Sequence, residues 1–499
     1  MPFNSLNFGI FFLIFYAGYL GLARWHRLQN LWLLAASYTF YAFWDVRFLL
    51  ILVGLTGANY LLGLGLSERT PSSQSAPFAR RFLLAAGLLI NLGTLVLFKY
   101  LDFFSPGLIR LLGEIGLPAD SLLVNLVMPL GISFYTLQAS SYLLDVSARR
   151  LQPTKNILDL ALFIGFFPQL MAGPIERAGR MLPQFRQPRA VTPASVSAGI
   201  YLLMSGFFKK LVVADNLAPI VNQIFTRDAT LGGVTVLLGV LAFTVQLYAD
   251  FSAYSDIARG LARLLGIELM VNFRLPYFAA SPGEFWQRWH ISLSEWLRDY
   301  IFFPLRKSLL RWKSRSGKLA GLVLPPLVTM LVSGIWHGTG WNFILWGLYH
   351  GAWMIAWQVV FRERPAQSAI APGSADVKGT TAIWGWVHRA VRTGIQVLGM
   401  FLIVSLGWLI FRVESLGQIP GMFSRLFQAS PPESLEMWGN VLLYSLPLLL
   451  VQIIQQARGD LLALARLPVG LRVLLYGIAL ALMVALGSRE VQEFIYVQF

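Results

Sequence analysis

The sequence predicts an all-α polytopic membrane protein of about eleven transmembrane helices, supplemented by re-entrant and interfacial helices. Three observations carry that prediction. Hydrophobic residues make up 56% of the 499 residues and charged residues only 13%, against about a quarter charged in soluble domains. Apolar runs of about 17 to 25 residues, long enough to cross a bilayer, recur from the N-terminus to the last hundred residues. The basic residues behind the net charge of +16 sit in short segments between those runs, as the positive-inside rule expects.

That placement of charge argues against nucleic acid as a partner and for membrane lipid. The absence of cysteine excludes disulfides, thiolate metal sites and a cysteine acyl intermediate. The longest polar interval, Arg362 to Thr381, is too short for a core and reads as a loop, so residues 1–499 form one domain. Met-Pro-Phe-Asn-Ser-Leu at the start lacks a basic region and a small-residue cleavage site, so Leu6–Leu22 reads as a first span.

Further spans fall near Leu31–Phe43 and Phe48–Leu66. Arg24 and Arg27 after the first span, and Arg69, Arg80 and Arg81 after the third, put those loops in the cytoplasm and the N-terminus outside. The interval Asp102–Asp120, with three acids against Arg110, is an external loop. In the span Met128–Asp145, Gln138, Ser141 and Asp145 recur at i, i+3 and i+7 and share one face. Lipid cannot satisfy them, so they line a cavity or bond another helix. The stretch Phe163–Arg177, broken by Pro168 and Pro174, is too short to span and predicts a re-entrant element, whose non-helical backbone must be buried in protein or face a water-filled interior.

Spans near Ser195–Phe208 and Val234–Tyr248 lead to a run in which Asp250, Ser252, Tyr254, Ser255 and Asp256 interrupt apolar sequence. Asp256 pairs with Arg259 at i+3. Asp250 has no partner within a turn and reads as cavity lining, with Ser252 and Tyr254 beside it. Ser281-Pro282-Gly-Glu284 then opens a helix with a capping box and Pro at its first position. Its continuation puts Trp286, Trp289, Leu293, Trp296, Leu297 and Tyr300 on one face, as in an interfacial helix, with His290 at the edge of that face. Six basic residues from Arg306 to Lys318 follow without an acid, marking a cytoplasmic segment that meets anionic lipid or the phosphates of a nucleotide-bearing donor.

The span ending at Trp336 delivers His337 into an apolar run, where a base-capable side chain is costly and is a functional candidate by default. A break at Gly338-Thr-Gly340 separates it from Trp341–Tyr349, near which Asn342 and His350 lie. On a continuous helix His337 and His350 would stand about 20 Å apart at 1.5 Å per residue, which assigns His350 to packing. With no H-x-x-x-H pattern and five histidines in all, no metal site is predicted. His26 and His388 read as loop histidines. Spans near Trp384–Phe411, Val441–Ile454 and Leu471–Leu486 and an aromatic end, Phe494–Phe499, complete the chain.

With these blocks in view, the sequence resembles the membrane-bound O-acyltransferases, and within them the alginate O-acetyltransferase branch. The resemblance covers nearly the whole chain. It rests on Pro129-Leu-Gly-Ile-Ser-Phe-Tyr135, Phe166-Phe-Pro-Gln-Leu-Met-Ala-Gly-Pro-Ile175, Asp250-Phe-Ser-Ala-Tyr-Ser-Asp256, Glu284-Phe-Trp-Gln-Arg-Trp-His-Ile-Ser-Leu-Ser294, Trp296-Leu-Arg-Asp-Tyr300, Trp336-His-Gly through Trp346-Gly-Leu-Tyr-His-Gly351, Trp408-Leu-Ile-Phe-Arg412 and the closing Phe494-Ile-Tyr-Val-Gln-Phe499. Gln287 and Gln169 depart from the family pattern, which often has Arg and His there. The resemblance implies spans ringed around a central tunnel, a catalytic histidine at His337 and a second active-site residue at His290. It further implies residence in the bacterial inner membrane, acetyl-CoA as donor with no bound cofactor, a polysaccharide acceptor, and a periplasmic SGNH-type acetyltransferase or small membrane partner. No G-D-S nucleophile block of such a partner occurs in this chain.

The residues themselves support that chemistry. Acyl transfer needs a base to take the proton of the attacking hydroxyl, and a neutral imidazole in an apolar site suits that role. His290 would orient the donor or stabilise the oxyanion. Trp289, Trp336, Asn342, Asp250, Ser252, Tyr254 and Gln138 are candidate walls of the substrate path, Trp289, Trp336 and Asn342 reading equally well as packing. D-alanyl and lipid acyl transfer remain alternatives within the fold. A transporter or flippase of lipid-linked sugar is the competing class, but paired broken spans in two similar halves, its usual mark, are missing.

Overall fold

A computed structural model describes residues 1–67, 76–114, 128–226, 232–361, 380–429, 434–488, 492, 494 and 495. Of the segments read from sequence, Arg362–Thr381 lies outside these apart from its last two residues. Asp102–Asp120 lies outside them apart from helical backbone as far as Glu114, and the closing aromatic segment lies outside apart from Phe494 and Ile495.

Helices account for all the regular structure among the described residues. In chain order they are α1 (Leu6–Gly21), α2 (His26–Ala42), α3 (Val46–Ser67), α4 (Ala76–Glu114), α5 (Ile132–Ser147), α6 (Ile157–Gly165), α7 (Phe167–Leu170), α8 (Ala178–Arg186), α9 (Pro193–Phe208) and, after a π turn at Lys209–Ala214, α10 (Asp215–Thr226). There follow α11 (Val234–Leu264), α12 (Pro282–Trp286), α13 (Ile291–Leu297), α14 (Phe303–Leu310), α15 (Arg315–His337), α16 (Trp341–Phe361), α17 (Thr380–Arg412), α18 (Gln418–Arg425), α19 (Ser434–Arg458) and α20 (Val469–Leu486). Several starts are legible in the side chains. Ser5 accepts a hydrogen bond from Phe8 N–H, Ser314 accepts one from Gly317 N–H, and Thr192 with Ser195 forms a capping box ahead of Pro193.

Nine helices among the described residues are long and apolar enough to cross a membrane. The chain is thus a multi-pass membrane protein, with fewer such helices than the eleven expected. α1, at 16 residues, falls short in length, and the span read at Met128–Asp145 becomes α5, 16 residues buried on nearly every side. The 31-residue α11 is the central pillar, buried along most of its length, whereas α20 has no buried residue and forms the perimeter. α9 packs against α11 through glycines, a Cβ at Gly199 falling 3.0 Å from Gly260 O and one at Gly206 2.9 Å from Ala253 O. Such small residues let backbones approach where lipid offers no hydrophobic drive to helix association.

The predicted re-entrant stretch, Phe163–Arg177, holds the end of α6, an extended Phe166, α7 and then non-helical backbone to Arg177, and residues 159–170 are all buried. Burial of broken backbone demands partners, and neighbouring side chains supply them. Gln138 and Gln169 both donate to Phe163 O, the latter at 3.0 Å; Phe167 N–H donates to Ser37 Oγ at 3.2 Å and Ile175 N–H to Ser292 Oγ at 2.9 Å. Gln138, on the polar face of α5, thus bonds the backbone of another helix.

The interfacial helix expected from Phe285 to Tyr300 is corrected. It breaks after Trp286, and His290 adopts a left-handed backbone with φ 41° and ψ 54° before α13 restarts. Its aromatic face points inward: Trp289 is 1% exposed and Trp296 7%, the latter donating to Leu137 O. Only half of the capping box forms, since Ser281 accepts from Glu284 N–H while the Glu284 carboxylate takes Ala280 N–H and Arg288. The basic residues from Arg306 to Lys318 are exposed.

Candidate active site

Two histidines from distant parts of the chain meet inside the protein. The ring centroids of His290 and His337 lie 6.5 Å apart, and the residues are 1% and 5% exposed. α15 brings His337 in as its last residue, because Gly338 is extended and stops the helix. The break between α12 and α13 brings His290.

Five aromatic rings box the pair. Phe251 and Phe134 stand 4.6 Å and 6.3 Å from His290, Trp346 and Phe411 stand 5.2 Å and 5.3 Å from His337, and Trp336 lies 5.9 Å and 4.9 Å from the two. Trp336 is itself held by donation from Nε1 to Ser133 O at 3.3 Å. No three His, Cys, Asp or Glu residues cluster in metal-binding fashion among the described residues.

The left-handed conformation of His290 costs about 1–2 kcal/mol for an L-residue, so something must impose it. Asn272 does. Its carbonyl accepts Ile291 N–H at 2.9 Å, its Oδ1 accepts Ser292 N–H at 3.2 Å and Ser292 Oγ at 3.0 Å, and its Nδ2 reaches Ser255 Oγ at 3.2 Å. Sequence reading missed Asn272, as it missed Phe251, Trp346 and Lys99. A lone polar residue between apolar ones, such as Asn272 in Met270-Val-Asn272-Phe273, was the available signal, and in Lys99 it was a cation closing an apolar run.

Other predicted wall residues are distributed around this centre. Trp289 stands behind His290, 4.7 Å from Trp408 and 5.1 Å from Phe273. Asn342 donates to Phe411 O at 3.1 Å and lines a cavity of about 440 Å³ together with Gln246, Arg412 and Glu414. Asp250 and Tyr254 line another, of about 280 Å³, with Phe3, Trp44 and Lys210. Phe494, which lines that cavity, stands 5.7 Å from Phe251, the ring beside His290. Asp250 also has partners that no local pattern shows, Lys210 Nζ at 2.9 Å and Ile495 N–H at 2.8 Å. Asp256 pairs with Lys209 at 2.7 Å as well as with Arg259 at 3.2 Å, and Ser252 accepts from Lys209 at 2.9 Å. Gln138 and Ser252 are thus engaged within the protein.

His350 is nearer to His337 than a continuous helix allows. α15 and α16 fold back on each other, so a Cβ at Gly334 would fall 2.2 Å from Phe343 O and one at Gly347 2.5 Å from Met330 O. One indole, Trp346, lies between the histidines, 5.2 Å from His337 and 4.9 Å from His350. His350 is packed among Trp286, Trp346 and Tyr349, and its Nε2 has no hydrogen-bond partner among the described residues.

The sequence profile of the membrane-bound O-acyltransferase family matches residues 121–373, which include both histidines. The chain belongs to the membrane-bound O-acyltransferase family. Among its similar relatives, a probable alginate O-acetylase of Azotobacter vinelandii is 37% identical over 86% of this chain and 78% of its own length. A peptidoglycan O-acetyltransferase of Helicobacter pylori is 35% identical over 64% of this chain and 63% of its own. A teichoic acid D-alanyltransferase of Bacillus subtilis is 30% identical over 46% of this chain and 59% of its own. The protein is an acyltransferase, and in this O-acyltransferase the buried histidine pair is the candidate catalytic centre.

Proposed function

We propose that this acyltransferase takes an acetyl group from acetyl-CoA on the cytoplasmic side of the bacterial inner membrane for O-acetylation of an extracytoplasmic polysaccharide of the alginate or peptidoglycan kind. A periplasmic SGNH-type acetyltransferase or a small membrane partner completes delivery. The observation that carries the reading is the pair of buried imidazoles 6.5 Å apart at the end of α15.

His337 is the base. Its neutral imidazole takes the proton of the acceptor hydroxyl as that oxygen attacks the thioester carbonyl, a contribution of about 10²–10⁴ in rate. His290 donates a ring N–H to the oxyanion that forms; one such donor is worth about 3 kcal/mol in a water-poor site. Collapse of the intermediate expels the coenzyme A thiolate, which takes up the proton. The aromatic box excludes water, which would otherwise hydrolyse the thioester.

Direction across the membrane is supported by charge. α15 runs from the exposed basic segment around Arg311 and Lys313 to His337, and the positive-inside rule puts that segment in the cytoplasm. Acetyl is favoured over D-alanyl because the acetylating relatives align over more of the chain than the D-alanylating one. The test is transfer from labelled acetyl-CoA in proteoliposomes, with and without the periplasmic partner and with a D-alanyl thioester donor in a parallel arm. Label appearing only from the D-alanyl donor would overturn the acetyl assignment.

A further inference from the structure

The last turn of α15 is held by two adjacent residues of another helix. An α-helix leaves its final four carbonyls without intrahelical donors. In α15, Gly338 N–H reaches Gly334 O at 3.4 Å. The remaining three carbonyls are those of Ile335, Trp336 and His337, and all three accept hydrogen bonds from α4. Lys99 Nζ donates to Trp336 O at 2.6 Å and to His337 O at 2.9 Å, and Tyr100 Oη donates to Ile335 O. The ammonium also lies 5.7 Å from the centroid of the Trp336 ring.

We propose that Lys99 and Tyr100 are positioning residues for His337, clamping the carbonyl end of its helix so that the imidazole stands at a fixed height and rotation beside His290. This rests on the acyl-transfer reading of His337.

Three considerations support it. A lysine closing an apolar span, here Phe78–Tyr100, is costly unless something compensates it. Helix carbonyls supply that compensation, Trp336 O and His337 O both accepting from Lys99 Nζ. A cation is favourable at a helix C-terminus, where the macrodipole is negative. The clamp also sits where the helix stops, since Gly338 is extended and the helix supplies no further donors to its last carbonyls. Lys99 on the carbonyls and Trp336 Nε1 bound to Ser133 O together tie the turn to both α4 and α5.

The test uses the full chain in proteoliposomes and compares Lys99→Met, Lys99→Arg and Tyr100→Phe in kcat, in donor KM and in amide hydrogen exchange along α15. Lys99→Met is expected to lower kcat by about tenfold or more, because a misplacement near 1 Å is worth about 10²-fold. Donor KM should stay within about twofold, since uniform binding is untouched. Exchange should quicken in the last turn of α15 and not in its middle. Lys99→Arg, which keeps a charged donor, should recover most of kcat. Tyr100→Phe removes a single hydroxyl, leaves the fold intact whatever befalls Lys99→Met, and should lower kcat by about threefold, for one neutral hydrogen bond.

Wild-type kcat in Lys99→Met, or a raised donor KM with kcat kept, would overturn the proposal. So would wild-type exchange in both Lys99→Met and Tyr100→Phe. If the unaltered protein transfers no acetyl group while the exchange of α15 still depends on Lys99, the transfer reading fails and the clamp stands. If it transfers normally and exchange ignores Lys99, the clamp alone fails.

Discussion

Replacing Gly334 by alanine separates catalysis from stability at the α15–α16 contact. The added Cβ would lie 2.2 Å from Phe343 O and 3.3 Å from Gly347 N. A relaxed C···O contact is about 3.3–3.6 Å, so the two helices must part by about 1 Å. The opposing atom is backbone and cannot rotate away. Alanine is the better helix former by about 1 kcal/mol, while overpacking costs about 1–3 kcal/mol, so the net loss of stability should be small. The effect on chemistry should not be. Gly334 is three residues before His337, and Phe343 is three before Trp346, whose ring stands 5.2 Å from the His337 imidazole. A displacement near 1 Å at a reacting group costs about 10²-fold in rate. The assay is acetyl transfer in proteoliposomes beside a thermal melt in detergent. Gly399→Ala, where a Cβ meets nothing within 4 Å, is the control and should match the wild type in both. Wild-type kcat in a well-folded Gly334→Ala protein would refute the reasoning.

His337→Ala should leave the solubilised protein folded and lower transfer by about two orders of magnitude or more, the scale of lost general-base assistance; normal turnover would end the mechanism as stated. His290→Ala should lose less, near the 3 kcal/mol of one oxyanion donor, and a deeper loss than His337→Ala would exchange the two roles. His350→Ala, which opens a void among Trp286, Trp346 and Tyr349, should cost about 2–4 kcal/mol of stability and leave specific activity largely intact; a stable but inactive variant would contradict the packing role. Single cysteines are clean probes because the native chain has none. Lys313→Cys should be silent to an impermeant thiol reagent outside intact cells and Glu414→Cys reactive, both positions being exposed, and the opposite pattern would invert the topology.

Local chemistry carried much of the architecture. The apolar runs became helices because the bilayer admits backbone only where its hydrogen bonds are closed within the segment. Pro168, Pro174 and the short Phe163–Arg177 stretch told correctly of broken backbone, though not that Gln138 and Gln169 would satisfy it at Phe163 O. Apolar periodicity from Phe285 to Tyr300 suggested an uninterrupted helix, and it failed at His290. Asn272, some twenty residues earlier, imposes a left-handed turn there, and no window around His290 contains it. Asp250 looked unpartnered for the same reason, its cation arriving from Lys210.

By itself the sequence determined the membrane class, the order of most spans, the end of α15 at Gly338, and the presence of a histidine in apolar surroundings at His337. These follow from composition and from signals a few residues long, which act before any two helices meet. Tertiary structure alone decided that His290 faces His337 at 6.5 Å, that His350 is one indole away from it, and that Lys99 grips its carbonyl. Each depends on which helix packs beside which, and that is settled by close contacts such as Gly334 against Phe343 and Gly347 against Met330. Their geometry belongs to pairs of segments far apart in the chain and is written in neither one.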